Sequence, residues 1–499
     1  MDAVIAGFGS FGTLGIWIAL VIGLIIGYFI GAVPGLGPSL GIALLIPFTY
    51  GMDPRSALVM LIALYMAAEY GGAITAILLN SPGTAAAVPT SWDGYALTRK
   101  GKAELALAVS IISSFAGVLT SALLLMLTAV PLSEVALKFG PAQYAALALA
   151  GLCLVALISE GSMVKGLVAI TLGLALATVG MDVQTGVPRF SPSPDFFEGL
   201  PLVPVLLGLY ALSEVLFMIS EGPSGKKPTE HLARMLTLPL STLRRLSAPI
   251  LRSSLIGYAL GVIPGAGTVI ASFASYGIAK RISKTPEDFG NGSLEGIASS
   301  EAANNAAVSG SLAPLLALGI PGSGTGAILI GALMIHGLQP GPLLFTRNPE
   351  IPYTIMASLF VGAPLMLLVG LGGGGLWARV TALPRQVIAT AVFLVCIVGA
   401  YASENAMFPV YVMCAFGVIG YIFRLLQIPL APVVLSLILG EMLEVNFRRA
   451  FVQARGDMSV YLTDPLTMIL LVGCVLCFAG PAWSWLRSAS ARPRVRHDP

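Results

Sequence analysis

Charge is what this sequence has least of. Only 10% of its 499 residues are Asp, Glu, Lys or Arg, against roughly a quarter in a soluble globular chain. A soluble protein of this length would still need a charged surface, and the stretches 14–33, 105–130, 200–219, 386–400 and 464–486 have almost no charge to offer. That excludes a soluble enzyme or binding module and makes lipid the solvent. The formal net charge of +3 is small, so nothing points to nucleic acid as a partner.

Cysteine and histidine are scarce too. Cys153, Cys396, Cys414, Cys474 and Cys477 all lie in apolar runs, where free cysteine behaves as a small hydrophobe, so no disulfide framework is expected. Cys474 and Cys477 form a CxxC in VGCVLCF, but with no second pair or histidine nearby, packing is the better reading than metal or redox chemistry. The histidines are His231, His336 and His497; there is no HExxH, no GxxxxGK phosphate loop and no paired-Asp diphosphate motif. His336 reads as a packed histidine rather than a proton relay. GPSLG at 37–41 fits GxSxG around Ser39, yet a nucleophile elbow needs a preceding strand and a histidine base, and this run follows an apolar span. No enzymatic activity and no cofactor are expected, and energy for work must come from an ion gradient or a partner.

What the chain does have is hydrophobic length. A bilayer core takes about 20 apolar residues, and on the order of a dozen segments qualify, which predicts an all-α, multi-pass integral membrane protein of about twelve helices. The sequence opens on Met1-Asp2 with no basic cluster, so 14–33 is expected to be a retained first span. The longest polar interval, 220–253, carries Lys226, Lys227, Arg234, Arg244, Arg245 and Arg252. The organisation expected is a first transmembrane half over 1–219, a cytoplasmic connector over 220–253, a second half over 254–486 and a basic cytoplasmic tail over 487–499. Residues 229–247 read equally as an amphipathic surface helix or a solvated linker.

An internal repeat organises the two halves. GAVPGLG at 31–37 recurs as GVIPGAG at 261–267, and YGGAITAILLNSPGT at 70–84 aligns with SGSLAPLLALGIPGS at 309–323. Each half therefore carries two Pro-Gly breaks. Basic residues follow the second break of the first half (Arg99, Lys100, Lys102) but the first break of the second half (Lys280, Arg281, Lys284). Swapped positive loops are what inverted-topology repeats produce under the positive-inside rule, with the broken or re-entrant helices near the midplane.

A Pro-Gly pair breaks a helix because proline lacks an N–H and glycine admits left-handed backbone. The half-helix that follows presents unpaired N–H groups and a partial positive charge, which favours an anion. Four such termini would make an anion site with few basic side chains, and the cations noticed in the spans, Lys138 and Lys165, could both snorkel. The candidate substrate residues are Pro34, Gly35, Gly37, Asn80, Ser81, Pro82, Gly83, Thr84, Pro264, Gly265, Gly267, Thr268, Pro321, Gly322, Ser323, Gly324 and Thr325. The competing explanation is close helix packing through small residues. The run EGIASSEAANNAAVSGS at 295–311 is too polar for lipid and suggests a cavity-lining or re-entrant stretch. Glu301, Asn304, Asn305 and Ser309 within it, with Glu69, are candidates for ion ligation or gating; helix-end contacts are the plain alternative.

These stretches, above all GAVPGLGPSLGIALLIPFTYGMDP, NSPGT at 80–84 and EAANNAAVSGSLAPLLALGIPGSGTGAILIGAL, resemble the large membrane subunit of the tripartite tricarboxylate transporters, the TctA-type permeases. The resemblance spans nearly the whole chain. It implies a bacterial inner-membrane protein that works with a periplasmic solute-binding protein and a small membrane subunit. It implies import of a di- or tricarboxylate, citrate-like or another organic acid, driven by a cation gradient, commonly sodium, with protons as the other candidate. It also implies that the Pro-Gly loops line the substrate site. AVPTSWDGY at 87–95 departs from plainer, Ala-rich relatives at Val88, Pro89 and Trp92. A passive anion channel, or a membrane scaffold or enzyme subunit, remains the alternative.

Overall fold

The computed structural model describes residues 2–158, 162–221, 237–380 and 383–490. Among these, eight helices are long and apolar enough to cross a bilayer: Leu14–Gly31, Pro54–Leu79, Ala103–Ala136, Leu202–Ser220, Glu350–Gly372, Arg385–Glu404, Phe408–Leu425 and Leu430–Gln453. Two more, Leu240–Gly261 and Leu294–Leu318, have the length without the apolarity. Helices Pro141–Ile158, Met163–Ala177 and Pro465–Ser490 complete the larger elements. The strands described are one two-residue antiparallel pair, Gly180–Met181 with Pro188–Arg189.

Two helices form the centre. Pro54–Leu79 starts where Asp53 accepts the Ser56 N–H at 3.3 Å, with Pro54 at the first position, and ends at Asn80 in left-handed conformation (φ 52°). Leu294–Leu318 starts where Ser293 accepts the Gly296 N–H at 3.1 Å and ends at Gly319, also left-handed (φ 73°). Every residue from 57 to 79 in the first and from 296 to 317 in the second is buried.

Close approach to these two comes from glycines spaced by four. Gly23, Gly27 and Gly31 of the Leu14–Gly31 helix lie on Met60, Leu64 and Ala68, and an added Cβ on Gly27 would stand 2.5 Å from the Leu64 carbonyl oxygen. Gly257 and Gly261 lie in the same way on Ala303 and Ala307, a Gly261 Cβ meeting the Ala307 carbonyl at 2.6 Å. Hydrophobicity cannot drive helices together inside lipid, so backbone-to-backbone packing of this kind holds the bundle.

The segment 295–311 corrects the expectation of a re-entrant or cavity-lining stretch: it is the interior of an unbroken helix. Its polar side chains are tolerated because protein surrounds them on every side, chiefly helices 103–136, 240–261 and 267–282, and because hydroxyls bond back to their own helix, as Ser300 does to the Gly296 carbonyl at 3.0 Å. The expected junction at 253/254 falls inside the Leu240–Gly261 helix, whose first turns take up 240–247, and the 486/487 junction falls inside Pro465–Ser490. Lys226, Lys227, Arg234 and the tail 491–499 lie outside the described residues.

Candidate binding site within the membrane

Each Pro-Gly pair interrupts a helix and starts another. After Pro34-Gly35 comes Pro38–Leu45; after Pro82-Gly83, a single 3₁₀ turn Ala85–Ala87 and then Val88–Arg99; after Pro264-Gly265, Gly267–Ile282; after Pro321-Gly322, Gly324–Ile335. Several corresponding positions share backbone geometry, although Gly37 (φ −84°) and Gly267 (φ 56°) differ. Gly35 (φ 94°) matches Gly265 (φ 85°), conformations that favour glycine. The Ser81 N–H reaches the Thr75 carbonyl at 3.4 Å, and the Ile320 N–H reaches Pro314 at 3.2 Å across the same six residues. A Cβ on Gly83 would stand 2.8 Å from the Gly72 Cα, and one on Gly322 would stand 2.8 Å from the Ser311 Cα.

The beginnings of all four helices line one cavity of about 710 Å³. Its wall takes in Gly37 and Ser39, Ala85 and Val88, Gly267 and Thr268, and Ser323, Gly324 and Thr325, together with Gly35, Pro82, Gly83, Thr84 and Gly265. Within the second half the two loops are tied by the Gly265 N–H, which donates to the Gly322 carbonyl at 3.1 Å; across the halves the Ser39 and Thr325 hydroxyls meet at 2.8 Å and the Tyr65 and Ser323 hydroxyls at 3.3 Å. Ser323 also accepts the Gly326 N–H at 3.0 Å, capping its helix.

Glu69 stands on this wall, buried. Its Oε1 accepts the Thr268 hydroxyl at 3.1 Å, while among the described residues Oε2 has no hydrogen-bond partner, nor do the buried hydroxyl of Thr84 and the amide of Asn304. Thr84 and Asn304 both face the Glu69 carboxyl. The Glu69 carboxylate, the Thr84 hydroxyl and the Asn304 amide oxygen are atoms of the kind that hard cations take as ligands.

Several expected residues are elsewhere. Glu301 is fully buried behind the wall, where Thr90 donates to Oε1 at 2.5 Å and Ser114 to Oε2 at 3.1 Å. Asn305 donates to Ser114 at 2.9 Å, and the buried Ser309 hydroxyl has no partner among the described residues. Asn80 is exposed, and neither it nor Ser81 lines the cavity; Pro34, Pro264, Pro321 and Gly322 shape the loops without reaching its surface. Lys138 is exposed, and Lys165 donates to the Leu426 carbonyl at 2.7 Å. His336 meets the Thr49 hydroxyl at 3.1 Å.

Other wall residues were not assigned to the site from the sequence: Tyr65, Tyr210, Glu214 and Arg424, and Ser39, which stood out only as a GxSxG letter match. Arg424 carried a signal, being a lone charge in the apolar run from 408 to 440. Its pairing with Glu214 carried none.

A second cavity, of about 280 Å³, lies at the charged loop 179–202 and is lined by none of the Pro-Gly loop residues. Its ion pairs are structural: Arg189 to Glu444 at 2.7 Å and Arg448 to Asp182 at 2.6 Å.

With this geometry in hand, comparison with known proteins is decisive: residues 17–435 match the model of the tripartite tricarboxylate transporter TctA family. The chain belongs to the TctA family. This TctA protein is thus a multi-pass membrane component of a transporter, in a family that works with a binding protein and a small subunit. It is 37% identical over 458 residues to an uncharacterized 52.8 kDa protein in the TAR-I ttuC' 3'region of Agrobacterium vitis, covering 92% of this chain and 91% of that one. A second Agrobacterium vitis protein, in the TAR-II ttuC' 3'region, is 39% identical over 221 residues, 44% of this chain and 91% of its own length. No solved structure matches the TctA chain.

Proposed function

We propose that this chain is the permease subunit of a binding-protein-dependent secondary transporter of the bacterial inner membrane, importing a di- or tricarboxylate by alternating access. The observation that carries the reading is the convergence of four helix beginnings on one cavity. Each offers backbone N–H groups and a partial positive charge, so a multiply charged anion can be held at membrane depth with little basic side-chain charge. The substrate site is the wall formed by Gly35, Gly37, Pro82, Gly83, Thr84, Gly265, Gly267, Thr268, Ser323, Gly324 and Thr325. Asn80, Ser81 and the remaining prolines and Gly322 set the loop geometry.

The coupling cation, sodium or a proton, sits at Glu69 beside Thr84, Thr268 and Asn304, where a bound cation offsets the cost of burying the substrate anion. Glu301, Asn305 and Ser309 form the polar packing behind it, on which the gate turns. About twelve spans in all form two inverted-topology repeats, the first drawn from the helices between 14 and 220 and the second from those that follow 240. The C-terminal 465–490 helix is additional. The paired loop geometries of the two halves and the exchanged basic loops support this arrangement.

The test is uptake into proteoliposomes containing the membrane subunits, with the binding protein supplied outside. Saturable carboxylate uptake that stops when the binding protein is omitted, and that collapses with the sodium or the proton gradient, is expected. Uptake indifferent to both gradients would remove the coupling claim, and uptake indifferent to the binding protein would make the protein a channel.

A further inference from the structure

Among the described residues lining the 710 Å³ cavity, Arg424 is the one cation. It lies at the end of the Phe408–Leu425 helix, its guanidinium carbon 3.9 Å from the centre of the Phe217 ring, and it forms an ion pair with Glu214. Glu214 and Phe217 share the Ser213–Glu221 helix. Glu214 is 6% exposed, and Arg424 is half-buried, reaching the cavity. The other Glu214 oxygen, Oε1, lies against the first Pro-Gly loop, where a Cβ on Gly35 would stand 2.6 Å from it. Immediately before this helix runs a π-helical segment, Leu207–Leu212, a feature frequent at functional sites. Its Tyr210 lines the same cavity with a buried hydroxyl that has no hydrogen-bond partner among the described residues.

A cavity built for an acid thus holds a single cation, and a carboxylate of the protein itself already covers it. Guanidinium is the side chain whose planar fork matches a carboxylate, and stacking on an aromatic ring fixes its orientation. We propose that Arg424 binds a carboxylate group of the transported acid, and that Glu214 is the internal stand-in that the acid displaces; this rests on the carboxylate-transporter reading above. Replacing one carboxylate by another keeps Arg424 paired throughout, so no uncompensated cation is left at a partly dry site. The displaced Glu214 loses its partner beside Gly35. Substrate entry is thereby transmitted to the first Pro-Gly loop, which must move or rearrange to accommodate the freed charge.

The experiment measures uptake of radiolabelled citrate, succinate and benzoate in cells producing the full chain with its binding protein and small subunit, with the amount of the chain in the membrane measured alongside. Glu214→Gln removes the competitor, and the half-saturating concentration is expected to fall about two- to fivefold, the strength of a partly exposed ion pair. Arg424→Gln is expected to lower uptake about ten- to a hundredfold, the loss of a charged hydrogen-bond partner. The double variant Glu214→Gln with Arg424→Gln carries no unpaired charge, so it tests the role without a folding penalty, and it is expected to remain as inactive as Arg424→Gln. A double variant with wild-type uptake would make the pair purely structural and overturn the proposal. So would an unchanged or raised half-saturating concentration for Glu214→Gln. A wild-type chain that reaches the membrane but takes up none of the three acids would instead overturn the carboxylate reading, and this inference with it.

Discussion

At the residue scale the two buried glutamates separate. Glu69 faces the cavity with one oxygen unpartnered among the described residues, whereas Glu301 has both oxygens engaged, by Thr90 and Ser114, and lies off the cavity wall. Glu69→Gln keeps the volume and the acceptor for Thr268 but removes a charge, so the protein is expected to fold while its uptake ceases to respond to the cation gradient; a titration of uptake against sodium and against external pH reads this directly. Glu301→Ala leaves the buried Ser114 hydroxyl without its acceptor, at roughly 1–3 kcal/mol, while Thr90 can still donate to Ser300 at 2.8 Å, and it is expected to lower the thermal midpoint in detergent beyond Glu301→Gln. Both glutamates were visible in the sequence as charges among apolar neighbours. Their difference was not, because Thr90 and Ser114 are 211 and 187 residues away from Glu301, and nothing local records which helix faces meet.

At the scale of elements, the starts and stops of helices were legible. Proline without its N–H and glycine with its wider backbone range act within a turn of themselves, so the four breaks appear where the sequence has Pro-Gly. What each loop residue does depends on the turn it lies in. Asn80 is the left-handed residue that ends the Pro54–Leu79 helix and faces outward. Asn80→Gly is accordingly expected to leave uptake and the melting temperature near wild type, since glycine is the usual residue at that position; a large loss of uptake would return Asn80 to the substrate site. Asp93 shows a tie that the sequence hides. Its Oδ1 accepts the N–H groups of Gly290, Gly292 and Ser293 at 2.7, 2.9 and 2.8 Å, and its Oδ2 accepts the Tyr276 hydroxyl at 2.9 Å. The Val88–Arg99 helix is thus fastened to the loop that begins the Leu294–Leu318 helix. Asp93→Ala orphans these donors and is expected to cost about 3 kcal/mol or more, read as a lower melting temperature, with Asp93→Asn milder because its amide oxygen can still accept the three N–H groups.

At the scale of the whole molecule, the loop holding the short strand pair is strapped to the Leu430–Gln453 helix. Asp182 accepts the Gln184 and Thr185 N–H groups at 2.9 and 3.0 Å and the Arg448 guanidinium at 2.6 Å, while Arg189 and Arg448 both reach Glu444 at 2.7 Å. The Thr185 N–H first, then Arg448, hold the Asp182 carboxyl well below the usual carboxylate range. A depressed value in the folded state contributes stability above the unfolded value of about 3.9 and loses it as pH falls toward the folded one. Asp182→Asn is therefore expected to lower the melting temperature at neutral pH and to converge on wild type under strongly acidic conditions; an equal deficit at every pH would show that the charge is irrelevant. High salt should narrow the difference, because the arginines are partly exposed.

The sequence by itself determined the solvent, the all-helical, multi-pass character and the places where helices break. Each depends on hydropathy or backbone chemistry within a few residues. It also suggested an anion site at the breaks, because helix beginnings are electropositive wherever they occur. Only the tertiary structure decided which breaks share a cavity, that Asn80 turns away from it, that the polar 295–311 run is an unbroken helix enclosed by protein, and that Arg424 meets Glu214 across 210 positions of chain. Those outcomes depend on how helices rotate and how closely their glycines let them approach, and each is settled by side chains far apart in the sequence. The scarcity of charge placed this protein in lipid; packing placed its few charges where they can act.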